Sequence, residues 1–354
     1  MGAIVRSTCN PESAAACDPL AIRWVRGTPE ETEMNCFDPD ALECLAAIGE
    51  EGGFERAALR LSITQSAVSQ RLRALESQAG TVLIVRSRPV RPTLAGQLLL
   101  KHAKMSRLLR ADLELELREL APSEVVGQRE HERVAIAINA DSIASWALPA
   151  LHDLVRQGLP LELIADDQDF TLQWLREGQV LGCVTALSQP LRGCRVLALG
   201  AMEYLAVAER GYAQKHLAPL CAGAPLLGMH NFRKLPFVAF NRKDSVPAQL
   251  VARALGLKSV NLQQLFVPSC QAMVQAVQSG WGVGVLPRLL VQPLLDQGVF
   301  VELLPGQSLQ VPLFWHCWNL QSQVLAALSQ ALQAAAARQL LAPERLAPQV
   351  LVAA

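Results

Sequence analysis

The sequence predicts a winged helix-turn-helix domain, a long linker helix and then a two-lobed α/β domain. Three observations predict that order: two short amphipathic helices around a tight break at residues 54–79, a proline-free run from about Thr93 to Leu120, and alternating strands and helices from Arg133 onward.

Across FERAALRLSITQSAVSQRLRALESQAG, Ala57, Ala58 and Leu61 give the first helix a narrow stripe of small residues, over which a second helix can cross closely. Ser62, Ile63 and Thr64 break the pattern, with Thr64 placed to cap the next helix and Ile63 to plug the gap. Val68, Leu72 and Leu75 then share one inward face, which turns Gln65, Ser66, Ser69, Gln70 and Arg73 outward. Such groups suit the major groove, where Gln pairs with adenine, Arg with guanine, and Ser with a base edge or phosphate. Many amphipathic helices carry a polar face, so local charge has to decide. Between Thr64 and Thr93 five arginines (Arg71, Arg73, Arg86, Arg88, Arg91) oppose the single acid Glu76, a local net of +4 in a chain of net charge zero. That excess is what the release of counterions from phosphates requires. Arg71 is assigned to the DNA backbone.

TVLIVRSRPVRPT follows as a short apolar strand, a basic tip at Arg86 to Arg88 and a return through Pro89 to Thr93, the pattern of a β-wing. Arg88 and Arg91 are expected along the backbone or minor groove, where contacts position a protein without reading sequence. Thr93 completes the candidate DNA contacts. The next segment, TLAGQLLLKHAKMSRLLRADLELELREL, has a continuous apolar stripe and reads as one helix over 94–120, basic first and acidic later. Such a stripe needs something to pack against. Residues 121–132 read as a polar hinge.

From Arg133, VAIAIN, LELIAD and VLGCVT read as strands separated by helices at Ser142 to Leu151 and Phe170 to Glu177. A second such unit begins near Leu205, with FVAFN, QLFVP and VGVLP as strands. The chain returns through VPLFWHCW and a final helix from Gln321 to about Ala336. βαβ order makes parallel sheets, and ligands in open α/β sheets bind beyond the carboxyl ends of the strands. That rule selects Asn139, Asp141, Ser142, Asp166, Asp167, Asp169 and Thr185 in the first lobe, and Asn241 to Asp244, including Arg242, with Ser269 in the second. Helix amino termini at Ser142 and Ser269 would suit a carboxylate, and acidic side chains would suit amino groups. Each of these residues also has an ordinary reading as a cap or a solvated loop group.

The first 36 residues, with Pro11, Pro19 and Pro29 and no lasting periodicity, read as a disordered extension or as a start placed upstream of the true one, since Met34 stands just before the patterned sequence. Residues 341–354 read as a tail. No apolar run approaches the roughly 20 residues of a spanning helix, and the nine cysteines show no CxxC pair or Cys/His ligand spacing. Scattered thiols fit a reducing compartment, so a cytoplasmic location is expected. Cys183, Cys194 and Cys270 read as small buried hydrophobes, and His316 as a satisfied buried histidine. GWGVG at 280–284 joins a helix to a strand, the reverse of a dinucleotide-binding order; DDQD lacks the glycine and glutamate of a calcium loop; and no GxSxG elbow is present. Neither an enzyme nor a cofactor or metal ion is expected.

Residues 37–93, above all FERAALRLSITQSAVSQRLRALE followed by the basic wing and RPTLAG, resemble the amino-terminal domain of LysR-type transcriptional regulators. NADSIASWALPAL, DDQDFTLQWLREGQVLGCVT, GCRVLALGAMEYLAVA, FNRKD and VPLFWHCW carry the resemblance on to about residue 340, toward the ArgP/LysG subgroup that responds to basic amino acids and controls their export or metabolism. The resemblance implies a periplasmic-binding-protein-like effector domain over 133–340, with lobe 1 at about 133–204 and 311–340 and lobe 2 at about 205–310. It also implies that helix 94–120 pairs two chains, as a dimer or a dimer of dimers, on a palindromic operator. The expected partners are double-stranded DNA, a basic amino acid, a second copy of the chain and, as a further candidate, RNA polymerase. Two alternatives stay open: a nucleoid- or replication-associated DNA binder without an effector, and a two-lobed small-molecule carrier.

Overall fold

The computed structural model describes residues 37–87, 90–120, 133–166, 171–217 and 225–342. The expected extension at 1–36, the hinge at 121–132, Arg88, Asp167 and Asp169 and the tail from 343 lie outside the described residues.

The amino-terminal part opens with α1 (Pro39–Glu51), a helix the sequence reading did not single out. Asp38 caps it through Asp40 N, Pro39 occupies its first turn, and Leu42, Leu45 and Ile48 are buried. Next come α2 (Phe54–Arg60) and α3 (Gln65–Ala79), the expected pair. Between them Ser62 adopts φ 53°, a left-handed conformation that a non-glycine residue seldom takes and that makes the turn tight. Thr64 Oγ1 accepts from Ala67 N at 3.2 Å, so the predicted cap is present. Val68, Leu72 and Leu75 are buried as expected, whereas Leu61 is only half-buried because the helix ends there.

A two-residue ribbon, β1 (Ile84–Val85) and β2 (Arg91–Pro92), forms the wing, in register Ile84 with Pro92 and Val85 with Arg91. Glu76 Oε1 accepts from the backbone N–H of Leu83 at 2.9 Å, tying the end of α3 to the base of the wing. α4 (Leu94–Leu120) starts directly from it. A Cβ on Gly96 would lie 2.1 Å from the Leu83 carbonyl oxygen, so only glycine admits α4 this close to the wing.

The carboxyl-terminal part is one nine-stranded mixed sheet. Its strands are β3 (Val134–Asn139), β4 (Leu161–Asp166), β5 (Gly182–Thr185), β6 (Cys194–Glu209), β7 (Pro236–Ala239), β8 (Gln263–Phe266), β9 (Val283–Pro287), β10 (Phe300–Glu302) and β11 (Leu309–Trp318), in spatial order β4-β3-β5-β11-β6-β9-β7-β8 with β10 on β6. Two parallel trios, β4-β3-β5 and β9-β7-β8, flank the long antiparallel pair β6 and β11. Each trio is the core of one lobe and the long pair runs through both. The 16 residues of β6 form one strand; the second unit expected to begin near Leu205 starts in its middle.

Helices cover the sheet: α5 (Ala140–Ser142), a π-helical segment (Ile143–Ala147), α6 (Leu148–Arg156), α7 (Thr171–Arg176), α8 (Arg210–His216), α9 (Val246–Ala254), α10 (Cys270–Gln278), α11 (Arg288–Asp296) and α12 (Gln323–Gln339). Trp146, Trp315, Trp318, Tyr204, Phe232 and Phe237 are fully buried beneath them. Among the described residues no helix is long and apolar enough to cross a membrane.

Candidate DNA-reading face and effector cleft

The outward face of α3 carries the groups expected of it. Gln65, Ser66, Gln70 and Arg73 are exposed and Ser69 is half-exposed, all opposite the buried Val68, Leu72 and Leu75. Ser66 Oγ lies 2.9 Å from Thr64 Oγ1, which pins it at the first turn. Arg71 points elsewhere: its guanidinium meets Asp40 of α1 at 3.2 Å. On the wing, the Arg86 guanidinium sits 5.6 Å from the Phe54 ring centre, and Arg91 is exposed on β2. Thr93 has a structural task instead of a free hydroxyl. Its Oγ1 donates to the Val82 carbonyl at 2.8 Å and accepts from Gly96 N at 3.1 Å, which caps α4. Arg73 makes the sharpest test of reading against positioning. Arg73→Ala is expected to weaken binding to the operator about 10-fold to 100-fold, with a smaller loss on random duplex, as removal of a bidentate guanine contact does. Equal losses in titrations on both DNAs would make it a phosphate contact.

Beneath this domain lies a cluster of charges. Arg107 of α4, 7% exposed, donates to Glu43 and, at 3.1 Å, to Glu50; Lys104 reaches Glu50 at 3.3 Å; Arg60 of α2 also pairs with Glu50. Burial alone would push the Glu50 carboxyl up, but Lys104, Arg107 and Arg60 together outweigh it and hold its pKa at about 2. Lys104 is pushed down, because burial costs its charge more than Glu50 returns. Its ammonium also donates to the Gln179 carbonyl at 2.8 Å, so one side chain joins α1, α4 and the effector lobe.

The effector cleft opens where the carboxyl ends of β3, β7 and β9 converge. The cleft is narrow and open at its mouth, and its lining includes Asn139, Asp141, Tyr204, Phe240, Asp244 and Met273. Asp141 stands at its centre. Oδ2 accepts from the Tyr204 hydroxyl at 2.6 Å and Oδ1 from the Cys270 thiol. Asp244, from the loop after β7, is fixed by the N–H groups of Phe240 at 3.0 Å and Val246 at 3.1 Å. Asn139 is 1% exposed, and among the described residues neither its Oδ1 nor its Nδ2 has a hydrogen-bond partner. A buried amide left in that state costs free energy, and a polar ligand would satisfy it.

Asn139, Asp141 and Asp244 thus meet in one place, while other expected site residues do not join them. Ser142 was expected at a helix amino terminus, yet Asn139 occupies the cap position of α5, and the buried Ser142 hydroxyl accepts from Trp146 Nε1 at 3.0 Å. Ser269 does cap α10, through Ala272 N, but neither it nor Thr185 lines the cleft. Arg242 stacks on Phe266, 5.8 Å from the ring centre, and Asn241 caps its own loop through Lys243 N and Asp244 N. Asp166 ends β4 opposite Asn139 in register.

Tyr204 and Cys270 were not anticipated as site residues. Cys270 is buried, as expected, but is not inert packing, since it bonds to Asp141. Burial, and after it the Asp141 charge, raises both the Tyr204 and Cys270 pKa, so both stay protonated and donate. His316 is buried with Nε2 on the Leu187 carbonyl at 2.7 Å, but its Nδ1 has no partner among the described residues and burial lowers its pKa, so the expected satisfaction is only half met.

Comparison with known proteins agrees with both halves. Residues 39–97 match the family described as bacterial regulatory helix-turn-helix protein, lysR family, and residues 127–340 match the LysR substrate binding domain. The HTH-type transcriptional regulator ArgP of Aeromonas salmonicida is 40% identical over 301 residues, covering 84% of this chain and 96% of that protein. The HTH-type transcriptional regulator LysG of Mycobacterium bovis is 38% identical over 300 residues, covering 85% and 94%. Among solved structures, ArgP from Mycobacterium tuberculosis superposes with a TM-score of 0.71 at 36% identity, covering 85% of this chain and 98% of that one. Full-length LysG from Corynebacterium glutamicum with bound effector Arg superposes with a TM-score of 0.64 at 33% identity, covering 86% and 99%.

Proposed function

Because this chain belongs to the LysR family of helix-turn-helix transcriptional regulators, within its ArgP/LysG-like group, we propose that its cleft binds a basic amino acid, arginine or lysine, and that this binding adjusts its grip on a promoter. The observation that carries the reading is the charge of the cleft. Two carboxylates, Asp141 from one lobe and Asp244 from the other, line the cleft together with the buried Asn139 amide, which has no partner among the described residues. A basic amino acid brings two cationic groups and one carboxylate, so its charges match that set. The solved LysG with arginine supports the same ligand class.

In this reading Gln65, Ser66, Ser69, Gln70 and Arg73 read base edges, while Arg86, Arg88 and Arg91 hold the backbone. Binding across the two lobes favours one arrangement of β6 and β11, and by reciprocity DNA shifts effector affinity by the same factor. The protein acts as a homodimer or a dimer of dimers. Leu94, Leu98, Leu109, Leu113 and Leu117 stay exposed along one drifting stripe of α4, a face suited to a second copy. Its place is the cytoplasm, with genes of amino-acid export or metabolism as its targets.

Calorimetric titration of the full chain with arginine and with lysine, paired with promoter footprinting, tests the proposal. Binding of one of them with an altered footprint is expected. No heat and an unchanged footprint would favour a DNA binder without an effector.

A further inference from the structure

The cleft residue best placed to meet a cation is held by two partners from distant parts of the chain. Tyr204 lies on β6, the strand that crosses both lobes, and Cys270 opens α10 in the second lobe, whereas Asp141 belongs to α5 in the first. The carboxylate has two oxygens and about four lone-pair directions. The Tyr204 hydroxyl takes one on Oδ2 and the Cys270 thiol one on Oδ1, so each oxygen has a donor from a different part of the chain. Tyr204 is 1% exposed and Cys270 4% exposed, so water does not substitute for either donor.

Resting on the reading of the cleft as a basic amino-acid site, we infer that Tyr204 and Cys270 are positioning residues that orient the Asp141 carboxylate toward a cationic group of the effector and so set the preference for charged over neutral ligands. Three physical points support this. A free aspartate rotates about two side-chain bonds, and fixing it beforehand removes the entropy that binding would otherwise lose. A donor on each oxygen stabilises the ionised form, the one that attracts a cation. Both donors stay protonated, since burial and the neighbouring carboxylate raise each pKa. The hydroxyl and thiol also span the lobe boundary, so the carboxylate reaches its full orientation only where α5, β6 and α10 meet.

The test is calorimetry on the full chain with arginine, with citrulline, which lacks the side-chain charge, and with 5-guanidinopentanoate, which lacks the α-ammonium. Tyr204→Phe is expected to weaken arginine binding about tenfold, the size of one hydrogen bond to a charged group. Its preference for arginine over one of the two analogues should fall by a similar factor, and the analogue affected identifies the cation that Asp141 meets. Cys270→Ala should act in the same direction, and Cys270→Ser, which keeps a donor, should restore most of the preference. A general loosening of the fold would lower all three affinities together and leave the ratios alone. Unchanged ratios in Tyr204→Phe and Cys270→Ala overturn the inference while leaving the cleft reading in place. Tighter arginine binding also overturns it, because the two donors would then be competitors of the effector. If the unaltered protein binds neither arginine nor lysine, the cleft reading itself fails and this inference with it.

Discussion

Glu50→Ala is expected to lower the stability of the amino-terminal domain by about 3–5 kcal/mol, the usual cost of stripping one partner from a buried ion cluster. Glu50 pairs with Arg60, Lys104 and Arg107 together. Arg107 would keep Glu43, but Lys104, 9% exposed, would lose its ion pair and keep the Gln179 carbonyl and the more distant Glu162 charge. Urea unfolding followed by far-ultraviolet circular dichroism reads the loss directly, and a change below about 1 kcal/mol would show that water replaces the missing carboxylate, as at an exposed ion pair. The same group sets an acid limit. Its folded pKa of about 2 lies below the ordinary carboxylate value, so its contribution is complete above about pH 4.5 and is lost as the pH falls toward 2. The Glu50→Ala protein should lose less stability over that window than the unaltered chain.

Asp141→Asn is expected to weaken binding of arginine or lysine by about 30-fold to 3,000-fold, the range for removing the charge of one member of a desolvated pair. Asparagine keeps the shape and can still accept from Tyr204, so the fold and basal DNA affinity should be retained. An effector affinity within threefold of the unaltered protein, measured by calorimetry, would move recognition to Asp244 or out of the cleft. An intact melting temperature and intact duplex binding would separate a lost contact from a lost fold. If Asp141 acts as argued, the promoter footprint of this variant should stay in its effector-independent form at arginine concentrations that saturate the unaltered chain.

Much of the architecture was legible because periodicity reports burial. Val68, Leu72 and Leu75 recur at helical spacing, and the alternation of strands and helices after Arg133 marks the two parallel trios of the mixed sheet. α1 escaped notice although Asp38 and Pro39 mark its start and Leu42, Leu45 and Ile48 its inner face; it lies outside the turn that drew attention to its neighbours. α5 starts at Ala140, two residues before the expected Ser142, because Asn139 and Ser142 are both good capping residues and only the ladder with β4 shows where the strand ends. The second unit, expected from near Leu205, instead begins inside the single long strand β6, in which Gly200, at φ 136°, sits beside the register shift at Leu313 and Phe314. Tyr204 and Cys270 were invisible for a different reason. A tyrosine and a cysteine in apolar surroundings read as core, and they are 63 and 129 positions from Asp141, a separation that only the crossing strands close.

The π-helical segment Ile143–Ala147 sets a limit of another kind. It places one more residue per turn than an α-helix does, directly between Asp141 and the buried face of α6 that carries Leu151. Successive α-helical residues are spaced about 100° apart around the axis. Deleting a single residue there would let the segment relax into regular helix with Asp141 and Leu151 still facing much as they do, because the wide turn already holds the extra residue, whereas inserting one would turn Asp141 by about that angle relative to Leu151 and away from Tyr204. A deletion in this stretch would be absorbed and an insertion would not, so the spacing between Asp141 and Leu151 has a one-sided limit, counted in residues instead of being written in their identities.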